Sequence, residues 1–289
     1  MTTIENMVRQ HQNWLDQAEG LVDRKLRYLR EDLNDGDLVS MINISDALGS
    51  LATYYGISGM LSNHTQLTTK NDYLSHSIIY RFWALKIRAK HFSKTYFLRG
   101  TNKAPNLTNQ MSNAACLLAC FIAIEKDDKA DFTADILEGM FTTDGAINAN
   151  YLKERRFEPF MMWLYSAYSG KTLSKNFEFR EYGVYQKLID SWHSPELISD
   201  PILELCDYHL VNSDDTGGRR DPEFKNSPFD LLPFEIWAIF STRKKLGMVM
   251  PEIDHPLLSF SKNIKDDLHL VPDDLALEIE AAYNSIFNS

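Results

Sequence analysis

Residues 200 to 258 hold the chain's densest run of side chains able to do chemistry: Asp200, Cys206-Asp207-Tyr208-His209, Asp214-Asp215, Gly217-Gly218-Arg219-Arg220, Glu223, Pro233-Phe234-Glu235 and Asp254-His255-Pro256-Leu257. Cys206 and His209 stand three apart and share a face of a helix, so with Asp207 they begin a metal site. Zinc needs three or four ligands, and no second Cys/His pair stands at a fitting spacing, so no metal is assigned. Cys206 is expected to pack inward as a small hydrophobe, with His209 and Asp207 hydrogen-bonded to a neighbouring helix end or loop. Asp254 beside His255 has the composition of a general base. That role needs a nucleophile or an activated water, and no Gly-x-Ser-x-Gly element supplies one. His255 is therefore expected to lock its loop by hydrogen bonding, with Pro256 fixing the backbone. Glu235, two residues after Pro233, suits the first turn of a helix, where a carboxylate meets the positive end of the dipole.

Gly217-Gly218-Arg219-Arg220 has the parts of a phosphate cradle but lacks the lysine and following hydroxyl of a P-loop. It reads instead as an exposed loop opening with Ser213-Asp214-Asp215, and such loops are where recognition concentrates. Cys116 and Cys120 are surrounded by Ala, Leu and Phe, which lower no thiol pKa, so both are expected in the core. No catalytic residue and no cofactor is assigned.

The elements that must position these groups are helical. Thr2-x-x-Glu5 has capping-box spacing, and apolar residues from Ile4 to Leu33 predict one long amphipathic helix. Asp37 caps a second, ended by Gly56; the short break at Asn34-Asp35-Gly36 favours an antiparallel hairpin. A Ser/Thr/Asn-rich connection runs from Ser58 to Asn71, and Asp72 caps a third helix, apolar on two sides and so central to the packing. Further helices are predicted at roughly 109–126, 129–142, 150–168, 182–193, 197–213, 233–246 and 273–287. No alternating β-branched run reads as a strand. The expected fold is all-α, about ten helices in a single irregular bundle over 1–289, with a soft boundary near 170–176.

The chain of 289 residues is 44% apolar, enough for a large core. Its longest apolar run, Ala114 to Ile124, is too short to cross a bilayer. The first residues carry no charged-then-apolar leader, and three cysteines make no disulfide framework, so a cytoplasmic protein is expected. Net charge is −10, unevenly spread. Tyr73 to Ile124 contains no acid and seven bases, whereas residues 196 to 289 hold 18 acids against 8 bases. The overall balance argues against direct nucleic-acid binding. Lys86, Lys90 and Lys94, spaced by four, form a basic stripe that either meets an acidic partner, packs against acidic neighbours within the fold or is simply solvated.

Three stretches carry a family likeness. Leu203-x-x-Cys206-Asp207-Tyr208-His209-Leu210, Leu232-Pro233-Phe234-Glu235-Ile236 and Leu246-Gly247-x-x-x-Pro251-Glu252-x-Asp254-His255-Pro256-Leu257 together resemble the bacterial all-helical immunity proteins of polymorphic toxins, including type VI secretion effectors. The resemblance implies tight binding to one cognate toxin, and no catalytic residues. A toxin neutralised in the cytoplasm is expected to be a nuclease, occluded at its basic cleft. On that reading Asp207, His209, Asp214, Asp215, Glu223, Glu235, Asp254 and His255 are the candidate partner-binding residues. Two other readings remain: an enzyme using His209, His255 and nearby carboxylates, and a scaffold or regulator binding through the basic helix.

Overall fold

The computed structural model describes residues 2–62, 67–95, 107–173, 182–213, 222–262 and 264–287, with side chains throughout except at 67–70 and 266. Every regular element among them is a helix, so the fold is all-α as expected. The chain forms two compact units, one of Met1–Lys103, Asn226–Pro228 and Asp267–Ser289, the other of Ala104–Lys225 and Phe229–Asp266.

The first unit contains α1 (Thr3–Gln17), α2 (Leu21–Asp35), α3 (Leu38–Leu61), α4 (Leu67–Thr95) and α14 (Asp274–Phe287). Thr2 and Glu5 close the expected capping box, and Asp37 caps α3 by accepting from the Ser40 amide at 2.7 Å. That amide holds the Asp37 carboxyl below its ordinary range. The single helix expected from Ile4 to Leu33 is two. Gly20 adopts a left-handed φ of +68°, and the chain turns there although the apolar stripe runs on across the break.

Gly56 does not end α3 either. A Cβ at this position would lie 2.8 Å from the Ser227 carbonyl, so the glycine lets the 226–228 segment lie against the helix. Arg81 of α4, buried, secures the same segment by donating to the Ser227 carbonyl at 2.7 Å. Helices α3 and α4 run antiparallel, joined by buried bonds from Ser45 to the Ala84 carbonyl and from Ser77 to the Ala52 carbonyl. Their apolar faces meet Ile279, Tyr283 and Phe287 of α14 in one core.

The second unit is built around α5 (Thr108–Ala123), in which every residue from Met111 to Ala123 is buried. A helix apolar all round must be surrounded. Helices α6 (Asp127–Thr142), α8 (Phe157–Ser169) and α11 (Phe234–Lys245) pack on it. Each fully buried Leu or Phe of α5 contributes about 1.5–3 kcal/mol. The predicted helix 150–168 divides into α7 (Ala149–Glu154) and α8, with Arg155-Arg156 between them. Residues 183–185 form a single 3-10 turn leading into α9 (Gln186–Asp190), followed by α10 (Ser199–Val211). After α11 come the short helices α12 (Pro256–Ser261) and α13 (Ile264–Asp267). No helix among the described residues is long and apolar enough to cross a membrane.

Candidate functional site

Three consecutive residues of α10 have three different surroundings. Asp207 is exposed, Tyr208 is half-buried and His209 is buried completely. His209 Nδ1 lies 2.7 Å from Glu235 Oε1, and its Nε2 lies 3.0 Å from the carbonyl oxygen of Asp230. A carbonyl only accepts, so Nε2 carries a proton. The remaining contact then holds one proton between Nδ1 and the carboxyl, and His209 with Glu235 forms a net-neutral pair. Glu235 occupies the first turn of α11 behind Pro233, as its position in the sequence predicts, but its side chain points inward. Phe224 stacks on the imidazole with ring centroids 4.4 Å apart.

Glu223 enters the same interior from the segment before Phe224. It accepts from the Tyr208 hydroxyl at 2.8 Å and from the Arg156 amide at 3.4 Å, with Arg155 Nη1 4.0 Å away. Arg155 Nε lies 3.6 Å from the fully buried Glu158, and its guanidinium covers the Tyr151 ring at 4.1 Å. Burial pushes the Glu223 carboxyl above its ordinary range despite these donors. It pushes the phenols of Tyr208 and Tyr185 up as well. Arg155 and Glu158 were not singled out in the sequence; nothing in their spacing ties them to Glu223.

His255 acts as expected. Its Nδ1 accepts from the Leu257 amide at 3.2 Å, capping α12. Nε2 therefore carries the ring's proton and donates to Asp207 at 3.1 Å. The segment leading to it is anchored by the fully buried Arg243, which donates to the Val249 carbonyl at 2.9 Å and to the Trp192 carbonyl. Burial lowers the Arg243 pKa. Cys206, Cys116 and Cys120 are all buried, and burial raises the thiols of Cys206 and Cys120.

The eight expected contact residues therefore do not form one surface. Asp207 and Asp254 are exposed, and His255 is buried with one nitrogen turned to Asp207. His209, Glu223 and Glu235 lie in the interior, because each found a hydrogen-bonding partner there that offsets its desolvation. They support the surface and do not present charge to a partner. Asp214, Asp215 and the Gly217-Gly218-Arg219-Arg220 stretch lie outside the described residues. In the first unit the basic stripe of α4 is partly engaged within the fold. Lys86 sits over the rings of Trp83 and Tyr283 at 4.4 and 4.6 Å, and Lys94 donates to the Ile286 carbonyl at 3.0 Å. Neighbouring Arg88 pairs with Asp46.

No protein-family model matches the chain, and neither a curated protein nor a solved structure is significantly similar to it.

Proposed function

We propose that this chain is an immunity protein that binds a cognate antibacterial toxin and neutralises it in the cytoplasm, the toxin being a nuclease whose basic cleft is occluded. The observation that carries the reading is the direction in which the polar groups point. Both nitrogens of His209 and both of His255 are engaged in holding the fold, so neither imidazole offers a free nitrogen to a substrate. The carboxylates on the outward side of α10, Asp200, Glu204 and Asp207, are exposed, Glu204 paired with Lys187 and Asp207 accepting from His255. In the first unit a depression of about 390 Å³ is lined by Lys25, Glu31, Asp32, Asp35 and Asp46, the last paired with Arg88. Acidic surfaces on a rigid helical frame speed encounter with a basic partner and disfavour wrong ones.

Co-expression with the product of the neighbouring gene tests this. Growth restored by the chain when that product is made in the cytoplasm is the expected result. A neighbour that is harmless, or whose toxicity is undiminished, overturns the proposal.

A further inference from the structure

Three elements of the first unit bring together a group of aromatic side chains that plays no part in the site above. Helix α3 supplies Tyr54 and Tyr55, α4 supplies Tyr73, His76 and Tyr80, and the residue before α14 supplies Asp273. Tyr55 is at the centre. Its ring lies 5.6 Å from Tyr54, 5.7 Å from Tyr73, 5.5 Å from His76 and 5.8 Å from Tyr80. His76 and Tyr80 stack nearly parallel, 8° apart. Asp273 accepts from the Tyr80 hydroxyl and lies 3.8 Å from His76 Nε2. Beside them Ser75 donates to the Val271 carbonyl and accepts from its amide, which fixes Val271, 64% exposed, at the edge of the group.

The group is only partly covered. Tyr54, Tyr55, Tyr73 and His76 are half-buried, and the Asp273 side chain keeps 27% of its surface. A core cluster would have been sealed. Ring faces are negative, and of these rings Tyr80 and His76 lie beside the Asp273 carboxylate, with Asp72 and Asp274 also exposed. Residues 268 to 287 contain no Lys or Arg. Among the described side chains of this stretch of α4, Arg81 is turned away to Ser227 and Thr53. Aromatic faces, a partly open carboxylate and a flanking aliphatic side chain have the composition of an interface anchor point for an arginine.

We propose that the Tyr54-Tyr55-Tyr73-His76-Asp273 patch receives an arginine side chain of a protein partner, its guanidinium against the tyrosine faces and paired with Asp273. The inference rests on the immunity reading, in which the partner is a basic toxin, and assigns that partner a contact on the first unit.

Calorimetric titration with the purified product of the neighbouring gene, using the full chain and three variants, tests the assignment. Asp273 also caps α14 by accepting from the Ala276 amide at 2.9 Å, a role asparagine retains, so Asp273→Asn removes the charge and keeps the cap. Tyr73→Leu removes the π face, and Tyr73→Phe keeps it. Asp273→Asn and Tyr73→Leu should each bind roughly tenfold more weakly or worse, and Tyr73→Phe close to the parent. Unchanged affinity in Asp273→Asn and Tyr73→Leu, with urea unfolding like the parent's, overturns the assignment. If Tyr73→Leu is unfolded, Asp273→Asn alone decides. A parent chain that does not bind the neighbour removes the immunity reading itself, a result distinct from binding that ignores the patch.

Discussion

His209 and Glu235, 26 residues apart in sequence, meet at 2.7 Å with both side chains removed from solvent, and the Asp230 carbonyl completes the imidazole's bonding. The contact ties α10 to the first turn of α11, and the segment carrying Asp230 is held between them. A buried ionisable pair of this kind is destabilised far more by losing one partner than by losing both.

His209→Ala leaves the Glu235 carboxyl buried without the imidazole and removes the ring's hydrogen bond to the Asp230 carbonyl, and should cost about 3–5 kcal/mol. Glu235→Gln keeps a donor for Nδ1 and should cost roughly 1 kcal/mol. Urea denaturation midpoints separate the two. Equal losses would mean that the pair contributes only packing.

His255→Ala removes the acceptor for the Leu257 amide and should lower stability by about 1 kcal/mol, while His255→Asn, which retains a capping oxygen, should lose less. Both variants release Asp207 from its donor. Thermal unfolding reads the first effect.

Two glycines of α3 should respond oppositely to alanine. Gly56→Ala forces a methyl against the Ser227 backbone and should destabilise by about 1–3 kcal/mol, since backbone cannot move aside as a flexible side chain can. At Gly49 nothing lies within 4 Å, and Gly49→Ala should stabilise by about 0.5–1 kcal/mol through helix propensity. Stabilisation at both positions would contradict the packing of the 226–228 segment on α3.

That contrast shows where the sequence was readable. Apolar periodicity and caps at Thr2 and Asp37 gave most helices, because those signals act over one or two turns. Gly56 misled because its reason is a contact with a residue 171 positions away, and a glycine placed for close approach looks like a glycine that ends a helix. Gly20 misled in the other sense, since the apolar stripe continues through a real break. In the candidate site, the inward Cys206 and the loop-locking His255 were readable from local chemistry. The pairing of His209 with Glu235, and of Glu223 with Tyr208 and Arg155, depends on tertiary contacts that no spacing announces. The tyrosine patch was missed as well, although Tyr73, His76 and Tyr80 at i, i+3 and i+7 share one face of α4.

Glu223 sets a pH dependence with a defined sign. Burial raises its carboxyl above the ordinary value of 4.5, so the folded chain keeps this proton after the unfolded chain has released it. Its contribution to stability is full below pH 4.5 and declines as pH rises from there through the folded-state value. Glu223→Gln, which can still accept from Tyr208, should flatten that decline. Unfolding midpoints of the two proteins recorded at a series of pH values check it, and parallel curves would show that Glu223 does not carry the effect.

An immunity protein must bind its toxin and silence it. The most direct test is an assay of the purified neighbouring gene product on nucleic acid, with and without stoichiometric chain. A stable complex, with nuclease activity suppressed by the chain, is the expected result. A neighbour that cleaves nucleic acid at the same rate with the chain present, or that forms no complex with it, would overturn the immunity reading.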